Sequence, residues 1–293
     1  MMYLVNFYKE NKLCLGIKTE QGIFDVQNAV KSTNVKAPVT IDELLTNGGM
    51  NLLRQLLEET SEEDRLFIDE SELTFGPCVS KPEKIICVGL NYRRHADECG
   101  LTHPKEPILF SKFNNSLTGA GSTIKIPENS TQVDYEAELA IVIGKEAKDI
   151  NPEQADEYIF GYCVANDVSA RELQFKSSQW LIGKSCDDFC PAGPYLVSKD
   201  EIDEPNNLKI KTWLNEELRQ DSNTSDMIFN CHEVVSYASK HMTLKPGDII
   251  LTGTPEGVIV GYSEEKRVWI KSGDIVSVEI EKLGRLTNHF ISQ

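Results

Sequence analysis

Short apolar runs separated by polar turns open the chain. Leu4–Tyr8, Leu13–Ile17 and Gly22–Val26 are each too short for a stable helix and are bounded by polar residues, so the spacing predicts a small antiparallel sheet. The period then changes. Thr40-Ile41-Asp42-Glu43 has the form of a capping box ahead of Leu44 and Leu45, Gly48-Gly49 stops that helix, and Leu52, Leu53, Leu56 and Leu57 recur at helical spacing. The acidic run 58–64 predicts a solvated surface. Pro77 and Pro82 bracket a loop, and the unbroken apolar run Lys84–Val88 predicts a buried strand after it. We therefore place a boundary at residue 80, between a small α+β domain (1–80) and a larger domain (81–293).

Strand patterns dominate the larger part: Glu136–Ile143, Tyr158–Asn166, Leu208–Leu214, Asp248–Leu251 and Ile275–Glu281. A helix is expected at Cys231–Lys240, where Val234, Val235 and Ala238 share a face. Strands and helices do not alternate regularly, which argues against a doubly wound sheet and for a β-rich, mixed α+β fold. No internal repeat or low-complexity segment interrupts it.

Composition narrows the partners. Among 293 residues, 46 Asp and Glu oppose 30 Lys and Arg, and the net charge of -16 has the wrong sign for nucleic acid or an anionic membrane surface. No stretch approaches the ~18–20 apolar residues of a membrane span, and the first ten residues lack a signal-peptide pattern, so a cytoplasmic protein is expected. The eight cysteines are then expected to be reduced thiols.

The densest chemical signal is Asp134-Tyr135-Glu136-Ala137-Glu138-Leu139, where two carboxylates stand two positions apart at the head of an apolar strand. In a strand, such residues share a face, and their repulsion is removed by a divalent cation between them. A second apolar run ends at Asn166-Asp167 and supplies a third carboxylate. Glu136, Glu138 and Asp167 together offer oxygen donors suited to Mg²⁺ or Mn²⁺ rather than zinc. Spacing alone equally allows three acids that merely blunt a sheet edge. The segment Asn91–Gly100, directly after a predicted buried strand, is the second signal: on a short helix His95 and Glu98 lie at i and i+3, so the carboxylate can orient an imidazole that deprotonates water. A surface helix with ordinary neighbour contacts explains the same spacing. Two other motifs are rejected. Gly183-Lys184-Ser185 lacks the first glycine of a phosphate loop, since position 178 is Ser178. Cys186 and Cys190 have no second Cys/His pair at zinc-finger spacing, and buried thiols account for them. His103, His232, His241 and His289 show no partner spacing.

In their order along the chain these motifs resemble the fumarylacetoacetate hydrolase family, particularly its bacterial branch with a small extra N-terminal domain. The resemblance runs from Pro82 to the end and rests on Val88-Gly89-Leu90-Asn91-Tyr92 with His95 and Glu98, Asp134–Leu139, Asn166–Arg171 and Ile249–Pro255, with support from Gln179–Ser185 and Leu218–Phe229. It implies a β-roll of mixed sheets in the large domain, usually dimeric, with a mobile helix carrying His95. It also implies that Glu136, Glu138 and Asp167 bind Mg²⁺ or Mn²⁺ and that His95 and Glu98 activate water. Lys184 would contact the substrate or its developing charge, while Arg171, Gln174 and Thr254 would line its pocket. One departure is visible: relatives of this branch often carry two prolines and an aromatic before the last Gly-Asp turn, where this chain has Gly261-Tyr262-Ser263-Glu264-Glu265-Lys266-Arg267-Val268-Trp269. That segment is expected to leave the catalytic pair and the metal ligands untouched.

The function expected from this resemblance is a metal-dependent hydrolase that cleaves a carbon–carbon bond in a β-diketo acid such as an acylpyruvate. The alternatives at the same site are oxaloacetate decarboxylation or tautomerisation, and hydration or isomerisation of unsaturated 2-oxo acids. The partners expected are a small anionic 2-oxo or β-diketo acid and a second copy of the chain. A catalytically silent metal-binding module would not need His95, Glu98 and Lys184.

Overall fold

Every residue of the strand Ala137–Ile143 is buried, and its two faces point into two different cores. Leu139, Ile141 and Ile143 join one, while Ala140 and Val142 join the other. A strand covered on both sides reads as an unbroken apolar run, which is why its period-2 alternation is hidden in the sequence. The computed structural model describes residues 2–60 and 63–293.

Around this strand lies a ten-stranded sheet in the order Phe67–Ile68, Gly22–Asp25, Lys12–Thr19, Tyr3–Lys9, Tyr195–Ser198, Ile159–Asn166, Ala137–Ile143, Ile249–Leu251, Ile85–Gly89 and Ile108–Lys112. Neighbours are antiparallel except Ile249–Leu251 beside Ile85–Gly89. A five-stranded sheet runs Glu217–Asn223, Lys209–Leu214, Ile275–Ile280, Gly284–Ser292 and Thr123–Ile126. Its inward residues, among them Ile210, Val276, Val278 and Leu286, pack with Leu139 and Ile141. The helices Ile41–Asn47 and Met50–Thr60 cover the opposite face through Leu44, Leu45, Leu53 and Leu56, which join Ala140 and Val142. Full burial of one such side chain contributes about 1.5–3 kcal/mol.

The expected small antiparallel sheet is therefore the outer part of a larger one: Tyr3, Leu4 and Val5 pair with Val197, Leu196 and Tyr195. The strand expected to end at Val26 turns into a helix instead, Val26–Ser32, because Asp25 caps it by accepting from the Asn28 N–H at 3.0 Å. At the next helix Thr40 accepts from the Glu43 N–H as expected, but Glu43 accepts from Val39, one residue before the cap. Cys231–His241 is closed by a reciprocal box between Asn230 and Glu233. Of the acidic run, Glu58 and Glu59 are exposed, while residues 61 and 62 lie outside those described. All eight cysteines are free thiols, although Cys186 is only half-buried. Among the described residues no helix is long and apolar enough to cross a membrane.

Candidate active site

Two neighbouring strand ends deliver the three acids. Glu138 lies in Ala137–Ile143, Glu136 immediately before it, and Asp167 one residue beyond Ile159–Asn166, the antiparallel neighbour in which Asn166 pairs with Ala137. Asn166 Oδ1 accepts from the Glu136 N–H at 3.0 Å, and the Asp167 N–H donates to the Glu136 carbonyl at 2.9 Å, so one side-chain and one backbone bond lock the two strand ends together. Glu136, Glu138 and Asp167 are all buried, and their ligand oxygens lie within 4.8 Å of one another.

Cations fill most of the space around them. Lys184 Nζ donates to Glu136 Oε2 and Asp167 Oδ2, both at 2.7 Å, while Lys112 Nζ donates to Asp167 Oδ1 at 2.5 Å. Arg171 pairs with Glu136 Oε1 at 2.7 Å and with Asp134 Oδ2 at 2.8 Å, and donates to Gln174 at 2.9 Å. Asp134 also accepts from the Ile259 and Val260 N–H groups. Burial alone would raise the Glu136 carboxyl, but Lys184 and Arg171 hold it down to about 2. Burial likewise works against charge on Lys184, yet Asp167 and Glu136 raise its ammonium to about 12.

Glu138 differs. Its Oε2 accepts from the Gly253 N–H at 2.6 Å, and among the described residues no Lys, Arg or His forms an ion pair with it. Burial first, then Asp167 and Glu136, push its pKa well above the ordinary carboxylate range. Gly253 can approach because it is glycine: its φ is +96°, and a Cβ there would sit 2.8 Å from Asn91 Cβ. Of the four buried acids, Glu138 is the one without a cationic partner among the described residues, so the oxygen cluster has a donor left for added positive charge. A hard divalent cation fits that donor set.

The His95 pair stands on the helix Arg93–Glu98. His95 Nδ1 lies 2.8 Å from Glu98 Oε1 and 4.0 Å from Cys99 Sγ, and Glu98 Oε2 accepts from the Gly257 N–H at 2.9 Å. An ionised carboxylate only accepts, so Nδ1 carries the proton and Nε2 is left for chemistry. Burial disfavours the charged ring, but the hydrogen bonds with Cys99 and Glu98, with the field of Glu136, raise His95 to about 9. In the metal-free chain, NMR titration of this imidazole should therefore give a midpoint near 9 instead of the ordinary ~6.5. Glu98→Gln should lower it; a midpoint near 6.5 in the unaltered chain would rule out the ion pair.

His95, Glu136, Glu138, Arg171, Gln174, Lys184 and Thr254 line one cavity of ≈ 110 Å³, with Asp167 behind Lys184 and Glu98 behind His95. Larger surface depressions, up to ≈ 920 Å³, include none of the three acids. Thr254 Oγ1 is held by Gln220 Nε2 at 2.9 Å. Gly183 lets the short helix Leu181–Lys184 lie on the Gln174 backbone, since a Cβ there would be 2.4 Å from Gln174 N. That contact carries Lys184 to the acids and explains the glycine without any phosphate. The departing segment does reach the catalytic pair, contrary to expectation: a Cβ on Gly261 would lie 2.6 Å from Glu98 Cδ, so this glycine backs the carboxylate. Lys112, Asp134 and Gln220 were not singled out from sequence. Asp134 and Gln220 lie inside segments that resemble the family, whereas Lys112 carries no local signal. His103, which showed no readable partner, lies 2.9 Å from Asp97.

A family model described as "Fumarylacetoacetate (FAA) hydrolase C-terminal" matches residues 84–291. The chain is 45% identical over 253 residues to "Oxaloacetate tautomerase fahd2, mitochondrial" of Xenopus laevis, covering 86% of this chain and 78% of that one. Its fold matches a fumarylacetoacetate hydrolase from Exiguobacterium antarcticum with a TM-score of 0.82 at 32% identity, covering 100% of both chains. It also matches maleylpyruvate hydrolase from Sphingobium sp. SYK-6, solved in complex with manganese (II) ion and pyruvate, with a TM-score of 0.79 at 28% identity and 99% of each chain covered.

Proposed function

This chain belongs to the fumarylacetoacetate hydrolase family, and from that premise we propose that it interconverts the keto and enol forms of oxaloacetate or a similarly small 2-oxo dicarboxylic acid. The observation that carries this reading is the size of the cavity in which the acids, Lys184 and His95 converge. Its ≈ 110 Å³ is far below the ~300 Å³ at which pockets for larger ligands begin. A four-carbon acid suits that space better than an extended β-diketo acid. The name of the Xenopus relative points to the same substrate.

Glu136, Glu138 and Asp167 would hold Mg²⁺ or Mn²⁺. When bound, the cation supplies positive charge that stabilises the enolate of a chelating 2-oxo acid. Lys184, kept protonated, adds charge beside the same oxygens and cannot serve as the base. In the enol-to-keto direction the His95 imidazolium delivers its proton to C3, and the neutral ring then takes up, directly or through solvent, the proton that the 2-hydroxyl releases; the reverse direction runs both transfers backwards. One proton leaves oxygen, one arrives at carbon, and no water attacks. Glu98 keeps the ring oriented and balances its charge. Arg171 fixes the position of Glu136 and is itself held by Gln174, and both would line the substrate's space together with Thr254.

Hydrolytic carbon–carbon cleavage is the second reading, favoured by the similarity to maleylpyruvate hydrolase and by the His95–Glu98 pair itself. It needs neutral imidazole, whereas the hydrogen bond to Glu98 favours the protonated ring in the metal-free chain. Among the described residues none of 1–80 lines the cavity, and in this account they extend the sheet by four strands and cover one of its faces with helices. A homodimer is part of the same reading.

A panel of enol-oxaloacetate and acylpyruvates, with products identified by NMR in D₂O, tests the choice. Ketonisation with deuterium entering at C3, without release of carbon dioxide or a carboxylic acid fragment, is expected. Predominant cleavage of the acylpyruvates would install the hydrolase instead.

A further inference from the structure

Beside the all-oxygen cluster stands a second group of donors with a different chemistry. His95, Glu98 and Cys99 occupy positions i, i+3 and i+4 of one turn, so they share a face, and their ligand atoms lie within 4.8 Å of one another. We propose that these three residues form a zinc site, distinct from the acidic cluster, whose occupation shuts the active site.

The donors set the preference. Imidazole, thiolate and carboxylate suit zinc or a similarly soft divalent ion, whereas Mg²⁺ and Mn²⁺ prefer the three carboxylates. The separations of 2.8 Å between His95 Nδ1 and Glu98 Oε1 and 4.0 Å between Nδ1 and Cys99 Sγ bracket the edges of the zinc tetrahedron, about 3.4–3.6 Å. Small side-chain rotations reach it. Glu98 is already held from behind by the Gly257 N–H and by the close approach of Gly261. His95 and Cys99 both line the cavity, and Cys99 is half-buried, so an ion has a route in. On binding, the ion takes the place of the Nδ1 proton, and the Cys99 thiol releases its own proton to solvent. The ring is then fixed to the metal and cannot hand over a proton. The binding claim rests only on the donors; the shut-off rests on the role proposed for His95.

The test uses the full chain, stripped of metal and then saturated with Mg²⁺. Calorimetric titration with Zn²⁺ should show one equivalent bound in the presence of that Mg²⁺, and Co²⁺ should produce a near-ultraviolet thiolate-to-metal band. Cys99→Ser should abolish the band and weaken Zn²⁺ at least about tenfold, since even partners behind a ligand are worth that much; Glu98→Gln should also weaken it. Cys186→Ser, at the other half-buried thiol, should change neither. Zinc should slow ketonisation in the unaltered chain and lose that effect in Cys99→Ser. A cobalt band that survives Cys99→Ser, or zinc binding that Mg²⁺ competes away completely, overturns the site. Zinc bound through Cys99 without any loss of turnover overturns the shut-off while leaving the reading of the acidic cluster intact.

Discussion

Replacing His95 by alanine should lower turnover by about 10²–10⁴-fold, the usual worth of a positioned acid–base group, while leaving Mg²⁺ and Mn²⁺ affinity nearly unchanged. The two halves of that expectation come from different parts of the site. His95 is bonded to Glu98 and is not one of the three clustered carboxylates, so its loss removes the proton carrier and spares the oxygen donors. Glu98→Gln should cost less, because the amide still holds the ring although it no longer balances its charge. Steady-state kinetics on enol-oxaloacetate together with metal titration measure both halves. Undiminished turnover in His95→Ala would mean that another group moves the proton.

The second large effect is expected at Lys184. Its ammonium is buried between Glu136 and Asp167, and Lys184→Met leaves two buried carboxylates short of a partner. Breaking such a pair from one side costs about 3–5 kcal/mol, so the metal-free variant should unfold at markedly lower denaturant than the unaltered chain. Mg²⁺ binding should persist and recover part of the loss, because a cation at the three acids supplies some of the missing charge. Turnover should fall even with metal bound. Equal stability of the two metal-free chains would show that the ion pairs contribute nothing; loss of Mg²⁺ binding would make Lys184 part of the metal site's scaffold.

Sequence made the acidic cluster visible because strand geometry is local: Glu136 and Glu138 are two positions apart, and Asp167 ends the neighbouring apolar run. The His95–Glu98 pair was visible for the same reason on a helix. What stayed hidden depends on pairing between distant segments. Lys112 reaches Asp167 only because its strand lies beside Ile85–Gly89 at the sheet edge, and most of that strand is partly exposed. Gln220 lies in a segment that resembles the family, but the polar strand Glu217–Asn223 carries no local sign that this residue bonds Thr254 and the Ala137 N–H. The continuity of the ten-stranded sheet escaped notice for a similar reason, since Leu4 pairs with Leu196 and no local pattern encodes so distant a partner. Gly261 shows the converse error. The segment that departs from the family pattern is expected to leave the catalytic pair untouched, yet its first glycine packs against the Glu98 carboxylate.

The central claim is that Glu136, Glu138 and Asp167 hold the cation on which keto–enol interconversion depends. Stopped-flow loss of enol-oxaloacetate absorbance decides it, using chelator-treated chain before and after Mn²⁺ is restored, with the triple alanine variant in parallel. Acceleration that returns with Mn²⁺ in the unaltered chain and never appears in the variant is the predicted result. Equal acceleration without metal, or in the variant with it, would contradict the claim.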